Sequence, residues 1–233
     1  MNENTGKTKK ELRKEILKRR EALEAEMVAE ASAEICHMIQ ALNMYEEAED
    51  LCLYMPIRNE VDLEILRKAA WEDGKRVWLP KVDGKQMEFH FFGPESRLEE
   101  GAYGILEPEA GQVLVPGEAT LVVMPGAVFS KSHDRIGYGG GYYDRYLSEH
   151  PQCRTMAVCH DLQIVDDLPA EEHDIRPDAV VIEEQGGIVK MAHTCMDGPW
   201  SLGFRCGKYI GVAHSALFIR GQQCPELTVV KFQ

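Results

Sequence analysis

Polar Thr8 precedes Glu11 by three residues, the spacing of a capping box that opens a helix. Leu12, Ile16, Leu23 and Met27 then recur at roughly helical intervals, and Val28, Ala31, Ile35, Met38, Ile39 and Leu42 continue as a second helical pattern. The period then changes. LCLYMPI (51–57) predicts a buried strand, Leu63 to Trp71 a helix, and RVWLP (76–80) a strand ended by its proline. Asp83-Gly84 is a turn signal leading into QMEFHFF (86–92), another strand, with Trp78 and Phe91 read as core residues. Residues 93–117 predict irregular connection. TLVVM (120–124), TMAVCH (155–160) and DAVVIE (178–183) are further apolar runs of strand length. Strands alternating with helices predict an α/β fold, a three-layer α/β/α sandwich on a mostly parallel central sheet.

Composition narrows the class. Apolar residues make up 44% and charged residues 28% of 233 residues, ordinary for a globular chain. No apolar run approaches the length that spans a membrane, and MNENTGKTKKELRK lacks the apolar stretch of a secretion signal. A cytoplasmic location is the expectation. The seven cysteines form no CxxC pair and predict reduced thiols. A net charge of −13 disfavours nucleic-acid or membrane binding, so the basic cluster from Lys7 to Arg20 stands out. After Glu184 the balance reverses: residues 185–233 hold five basic and two acidic side chains. Residues 1–184 therefore read as the main domain and 185–233 as an extension. Cys195, Cys206, Cys224, His193 and His214 lie too far apart for the close ligand pairs of a zinc site.

The segment MPGAVFSKSHDRIGYGGGYYDRYL (124–147) holds the chemistry. A strand delivers the chain to Gly137, Gly139, Gly140 and Gly141, and a helix begins just after them. Glycines let backbone N–H groups converge on an anion, and the helix start adds its positive dipole end. Arg135 adds a full charge beside it. Asp144, in the first helical turn, is the hard oxygen ligand that Mg²⁺ takes alongside nucleotide phosphates. Neither the P-loop template nor the dinucleotide fingerprint is present.

With KKELRKEILKRR, YMPIRNEVD, GILEPE and HDIRPDAVV in that order, this segment resembles the 5-formyltetrahydrofolate cyclo-ligase family from about Lys9 to Glu183. Ser130 stands where the family usually has aspartate, His133 where it usually has glycine, and Gly140 where some members have lysine. The resemblance implies conversion of 5-formyltetrahydrofolate and ATP, with Mg²⁺, into 5,10-methenyltetrahydrofolate, ADP and phosphate. It implies ATP contacts from Lys9, Lys10, Arg13, Arg135, Gly137, Tyr138, Gly139, Gly140, Gly141, Tyr142 and Tyr143. Glu60, Met55, Tyr103 and Tyr142 would border the folate, and Asp144 and Asp174 would hold the metal. Arg135, Tyr142 and Asp144 would act in catalysis. Partners would be small molecules alone, met by a monomer. Two other readings compete: a non-catalytic nucleotide- or folate-binding relative, and nucleic-acid binding through the basic helix.

Overall fold

The capping box is present: the Thr8 hydroxyl accepts the Glu11 N–H, and the Glu11 carboxylate accepts the Thr8 N–H at 2.9 Å. It opens α1 (Lys9–Glu21), and α2 (Ala25–Gln40) follows after a short break. Our computed structural model describes residues 7–101, 104–169, 171 and 174–183, and the backbone alone of three later strands (191–193, 216–219 and 228–231). Met27, placed on the first apolar stripe by its spacing, is 57% exposed. The break re-aims the chain, so the phase of the α1 stripe does not carry into α2.

A short helix α3 (Asn43–Glu46) leads into β1 (Asp50–Cys52), α4 (Glu64–Glu72), β2 (Arg76–Asp83) and β3 (Gln86–Phe91). The strand expected over 51–57 ends at Cys52, and the chain leaves as a loop. Strand β2 runs on through Pro80, which lies past the last residue paired with β1. A proline there removes no hydrogen bond from that ladder. Phe91 faces outward and is 41% exposed, its ring edge-on to buried Trp78 at 5.6 Å. Strands β4 (Leu98–Glu100) and β5 (Leu106–Pro108) form a small antiparallel hairpin where irregular chain was expected.

Beyond them come β6 (Thr120–Met124), β7 (Val128–Ser130), β8 (Arg135–Ile136), α5 (Tyr142–Glu149), β9 (Arg154–Val158), β10 (Ile164–Val165) and β11 (Ala179–Val181). The central sheet runs β12-β11-β9-β6-β1-β2-β3, where β12 is Met191–His193. Its inner strands are parallel, and β3 and β12 close the two edges antiparallel. Strands β13 (Ala216–Ile219) and β14 (Thr228–Lys231) pair with each other.

Alternate residues of each parallel strand serve opposite layers. Leu51, Val77, Leu121 and Val181 pack with Ile35 and Ile39 of α2 and Leu66 of α4. Cys52, Trp78, Val122 and Val180 pack with Tyr146 and Leu147 of α5. Both faces are covered, which is why these strands read as near-continuous apolar runs, with polar residues such as Asp50, Arg76, Thr120 and Arg154 at their starts. Helix α1 stands apart, laying Leu12 and Ile16 on Val128, Ile136 and Val165 of a second small sheet, β10-β7-β8. Cys36, Cys52, Cys153 and Cys159 are free thiols.

Strand order places the site. From β1 the chain adds β2 on one side, and β6, β9 and β11 then extend the other. The loops leaving β1 and β6 therefore diverge, opening a crevice at the carboxyl ends of the strands.

Candidate functional site

The loop leaving β1 turns tightly at Ile57–Glu60. The Glu60 N–H donates to the Ile57 carbonyl at 3.0 Å, and both central residues are left-handed, Arg58 at φ 50° and Asn59 at φ 57°. Neither is glycine, so the turn stores strain. The end of α1 and the break after it hold it in place. The Asn59 amide donates to the Leu23 carbonyl at 3.0 Å, and Arg20 donates from Nε to the Arg58 carbonyl at 3.0 Å. The Tyr54 hydroxyl closes the loop by donating to the Val61 carbonyl at 2.8 Å. Glu60 is thereby fixed in a buried position, 5% exposed.

The loop leaving β6 makes the small sheet and reaches the glycines. Gly139 has φ 100° and Gly141 φ 63°, and Gly141 sits at the N-terminal cap of α5. Side chains would be strained at either place, and a Cβ on Gly139 would lie 3.4 Å from the Arg13 guanidinium. Upstream, the Ser130 hydroxyl accepts the N–H groups of Ser132 at 3.1 Å and Asp134 at 3.0 Å. A short side chain with an acceptor oxygen braces a turn in this way. His133 adopts φ 69°, the left-handed conformation that glycine takes easily, and donates from Nδ1 to the Pro177 carbonyl at 3.1 Å.

These loops and α1 enclose a cleft of about 1050 Å³. It brings together Lys9, Arg13, Met55, Glu60, Arg135, Gly137, Tyr138, Gly139, Gly140, Gly141, Tyr142, Tyr143, Asp144 and Asp174. Lys10 is exposed and does not line the cleft. It is the neighbour of Lys9 on the helix and projects about 100° away. Tyr103 lies outside the described residues, as do the cysteines and histidines of residues 194–215 and Cys224.

Ion pairs organise the nucleotide side. Lys9 Nζ is 2.6 Å from Asp174 and 3.3 Å from Glu171. Burial opposes the Lys9 charge, but hydrogen bonds to Asp174 and Glu171 outweigh it and raise its pKa. Arg135 Nη2 is 2.8 Å from Asp144, whose same oxygen accepts the Ile175 N–H at 3.2 Å. Arg13 donates from Nε to the Gly137 carbonyl at 2.7 Å, and Arg145 from Nη1 to that of Gly140 at 2.8 Å. The Tyr142 hydroxyl donates to the Gly84 carbonyl at 3.1 Å, tying α5 to the β2–β3 turn.

The other side is drier. The Tyr138 hydroxyl donates to one Glu60 oxygen, and the Ile57 N–H donates to the other at 2.9 Å. Burial raises the Glu60 pKa, with Arg20, 3.7 Å away, the strongest opposing influence. Met55, Pro80, Val82, Met87 and Ile105 give this end apolar walls.

Sequence reasoning missed Arg20, Arg58, Arg145 and Glu171. Arg20 carried a signal. It is eleven residues after Lys9 and seven after Arg13, three positions that fall on one helix face. Arg58, Arg145 and Glu171 had no local signal, because tertiary packing of two loops and of α5 brings them to the cleft.

A divalent ion held with nucleotide needs one or two protein carboxylates, with phosphate and water oxygens completing its shell. Asp144 and Asp174 supply hard oxygens at the same cleft wall as Lys9, Arg135 and the glycines, and the donor chemistry fits Mg²⁺. Among the described residues no three His, Cys, Asp or Glu side chains cluster to hold a metal by themselves.

The profile of the 5-formyltetrahydrofolate cyclo-ligase family matches residues 5–183. The 5-formyltetrahydrofolate cyclo-ligase of Mus musculus is 29% identical over 190 residues, covering 76% of this chain and 94% of its own. That of Escherichia coli K12 is 30% identical over 173 residues, covering 71% and 95%. Among solved structures, the Aquifex aeolicus 5,10-methenyltetrahydrofolate synthetase superposes with a TM-score of 0.69 at 29% identity, covering 86% of this chain and 99% of its own. The Mycoplasma pneumoniae 5,10-methenyltetrahydrofolate synthetase gives 0.62 at 25% identity, covering 76% and 99%. With the profile matched across most of its length and the crevice carrying each side chain just described, the chain belongs to the 5-formyltetrahydrofolate cyclo-ligase family.

Proposed function

We propose that the protein closes 5-formyltetrahydrofolate to 5,10-methenyltetrahydrofolate at the expense of ATP, releasing ADP and phosphate. One observation carries this reading. A single cleft holds both a phosphate-type end (Lys9, Arg13, Arg135 and the glycine loop) and an apolar end with a buried carboxylate (Glu60, Met55).

A formamide carbon is a poor electrophile and its oxygen a poor leaving group. Transfer of the γ-phosphoryl group to the formyl oxygen gives an imino-phosphate, N10 attacks its carbon, and phosphate departs with the oxygen. No side chain need act as nucleophile. The attack is intramolecular within the folate, and good alignment is worth about 7–11 kcal/mol. The protein therefore works by positioning and by charge stabilisation.

Glu60 accepts hydrogen bonds from the amino and ring N–H groups of the pteridine, while Met55 packs beside the ring. Tyr142 borders the folate from the first turn of α5. Lys9, Arg13 and Arg135 meet the phosphates, and the N–H groups of residues 137–143 cradle them. Mg²⁺, held by Asp144 and Asp174, neutralises phosphate charge when bound. The ion pairs Lys9–Asp174 and Arg135–Asp144 keep these groups poised in the unliganded cleft. Mg·ATP carries both signs, so the cations turn to phosphate and the carboxylates to metal.

Residues 1–184 carry the activity in this reading, and 185–233 are an extension whose strand β12 adds only an outer edge to the central sheet; a chain without residues 186–233 should keep its activity. The reading takes the working protein to be a monomer. Among the described residues no helix is long and apolar enough to cross a membrane, and the described cysteines are unpaired thiols, which suits the cytoplasm.

The test is a spectrophotometric assay of the near-UV methenyl product with 5-formyltetrahydrofolate, ATP and Mg²⁺. Product should require ATP, and Asp144→Ala should lower kcat on the order of 100-fold or more with its melting transition retained. Folded wild-type protein that binds ATP and folate yet makes no product would favour the non-catalytic relative.

A further inference from the structure

Arg20 is fully buried, 0% exposed, and does not line the cleft. A buried guanidinium is costly unless its donors are used and its charge is answered. Here the donors go to backbone carbonyls and to the tyrosine that holds the folate-side carboxylate. Nη2 donates to the Tyr138 hydroxyl at 2.6 Å, Nη1 to the Gly126 carbonyl at 3.3 Å and Nε to the Arg58 carbonyl at 3.0 Å. Nη1 also stands 3.7 Å from Glu60. The Tyr138 hydroxyl accepts a hydrogen bond from Arg20 and donates one to Glu60, so three side chains form one directed chain of hydrogen bonds.

The chain joins two ends of the site. Tyr138 belongs to the glycine loop, whose Gly137 carbonyl is held by Arg13. Lys9, Arg13 and Arg20 share one face of α1, so one rigid rod reaches from the phosphate end to the carboxylate end. The same residue also pins the strained turn that aims Glu60, through the Arg58 carbonyl.

We propose that Arg20 is a positioning residue for Glu60, holding that carboxylate oriented for the pteridine and, through Tyr138, tying the folate pocket to the nucleotide loop. This rests on the folate reading of the Glu60 pocket. The charged and titratable groups facing Glu60 are Arg20 from α1, Arg58 from its own turn, Tyr54 from the loop after β1, Tyr138 from the glycine loop and Tyr143 from α5. Of these only the two arginines favour the carboxylate by charge, and Arg58 is mostly exposed, its charge screened by solvent. Removing Arg20 takes away the strongest influence against burial and leaves the Tyr138 and Ile57 hydrogen bonds and distant Arg58, so the Glu60 pKa moves further up and its protonation on acidification begins at a higher pH.

The experiment compares wild type with Arg20→Met, Arg20→Lys and Tyr138→Phe. It reads kcat and the separate KM values for 5-formyltetrahydrofolate and ATP across the acid-to-neutral range, beside thermal melts. For Arg20→Met, folate KM should rise about tenfold or more, the effect of losing one charge-assisted hydrogen-bond system. The increase should steepen as pH falls, while kcat and ATP KM move far less. Arg20→Lys keeps the charge but not the fork, so it should raise folate KM a few-fold without the new acid limb. Tyr138→Phe breaks the link alone and should weaken folate and ATP binding together by about threefold. In a Glu60→Gln background, Arg20→Met should add no pH dependence. Equal losses in both KM values for Arg20→Met, or an unchanged pH profile in a folded variant, would reduce Arg20 to a structural buttress and overturn the proposal. If Arg20→Met does not fold, Arg20→Lys decides: wild-type folate KM in that variant overturns it. Equilibrium dialysis of 5-formyltetrahydrofolate runs alongside. Wild type that binds folate without turnover sinks the catalytic reading and leaves this one testable; wild type that binds none sinks the folate reading itself.

Discussion

The two ends of the cleft hold their charges by opposite means. At the phosphate end, Lys9, Asp144 and Asp174 keep partial exposure, the buried Arg135 pairs directly with Asp144 as Lys9 does with Asp174, and backbone carbonyls anchor Arg13 and Arg145. At the other end, Glu60 and Arg20 are buried, share their hydrogen bonds through Tyr138, and depend on a strained turn. A triphosphate arrives solvated and highly charged, and exchangeable partners suit it. A pteridine is flat and weakly polar, and it gains from a dry pocket with one fixed acceptor. The difference teaches where rigidity is placed: the end that must discriminate is the end built without solvent.

That contrast can be broken at several points. The largest effect short of losing Asp144 belongs to Glu60→Gln, which should raise folate KM about 10- to 100-fold and leave ATP KM within about twofold. Comparable losses in both would mean the ends are not separable. Lys9→Ala should do the reverse, raising ATP KM about tenfold with folate KM little changed. Because this end is wet, rising ionic strength should weaken ATP binding more than folate binding, and paired titrations in salt check it.

Gly139→Ala sharpens the contrast further. Its left-handed backbone should cost about 1–2 kcal/mol in a denaturant titration. A Cβ there presses on Arg13, so ATP KM should rise about threefold with folate KM unchanged. The smallest effect belongs to the capping box. Hydrogen bonds from the Thr8 backbone and hydroxyl lower the Glu11 pKa, so its contribution is present above the ordinary glutamate range and is lost as pH falls through the lowered value. Amide exchange in the first turn of α1 should accelerate only in that acid window. Acceleration near neutral pH would show that the cap is not what holds the turn.

Short-range rules settled a good part of this protein. The capping box, the apolar runs of β6, β9 and β11, and the alternation of helix and strand needed only local spacing, and the family profile then matched the region they occupy. The glycine segment was legible for the same reason: left-handed backbone and a helix start are properties of neighbouring residues. Other features were decided by contacts far apart in sequence. LCLYMPI is apolar enough for a long strand, yet strand β1 ends at Cys52, and the chain beyond Leu53 is bent into a turn held by the end of α1 and the break after it. Phe91 has a core residue's chemistry and an edge strand's exposure. Arg20 reads as one cation among many in KKELRKEILKRR, and burial against a turn 38 residues away makes it different. Local sequence determines which conformations are cheap; which surfaces meet, and so which charge is dry, is determined only when the whole chain packs.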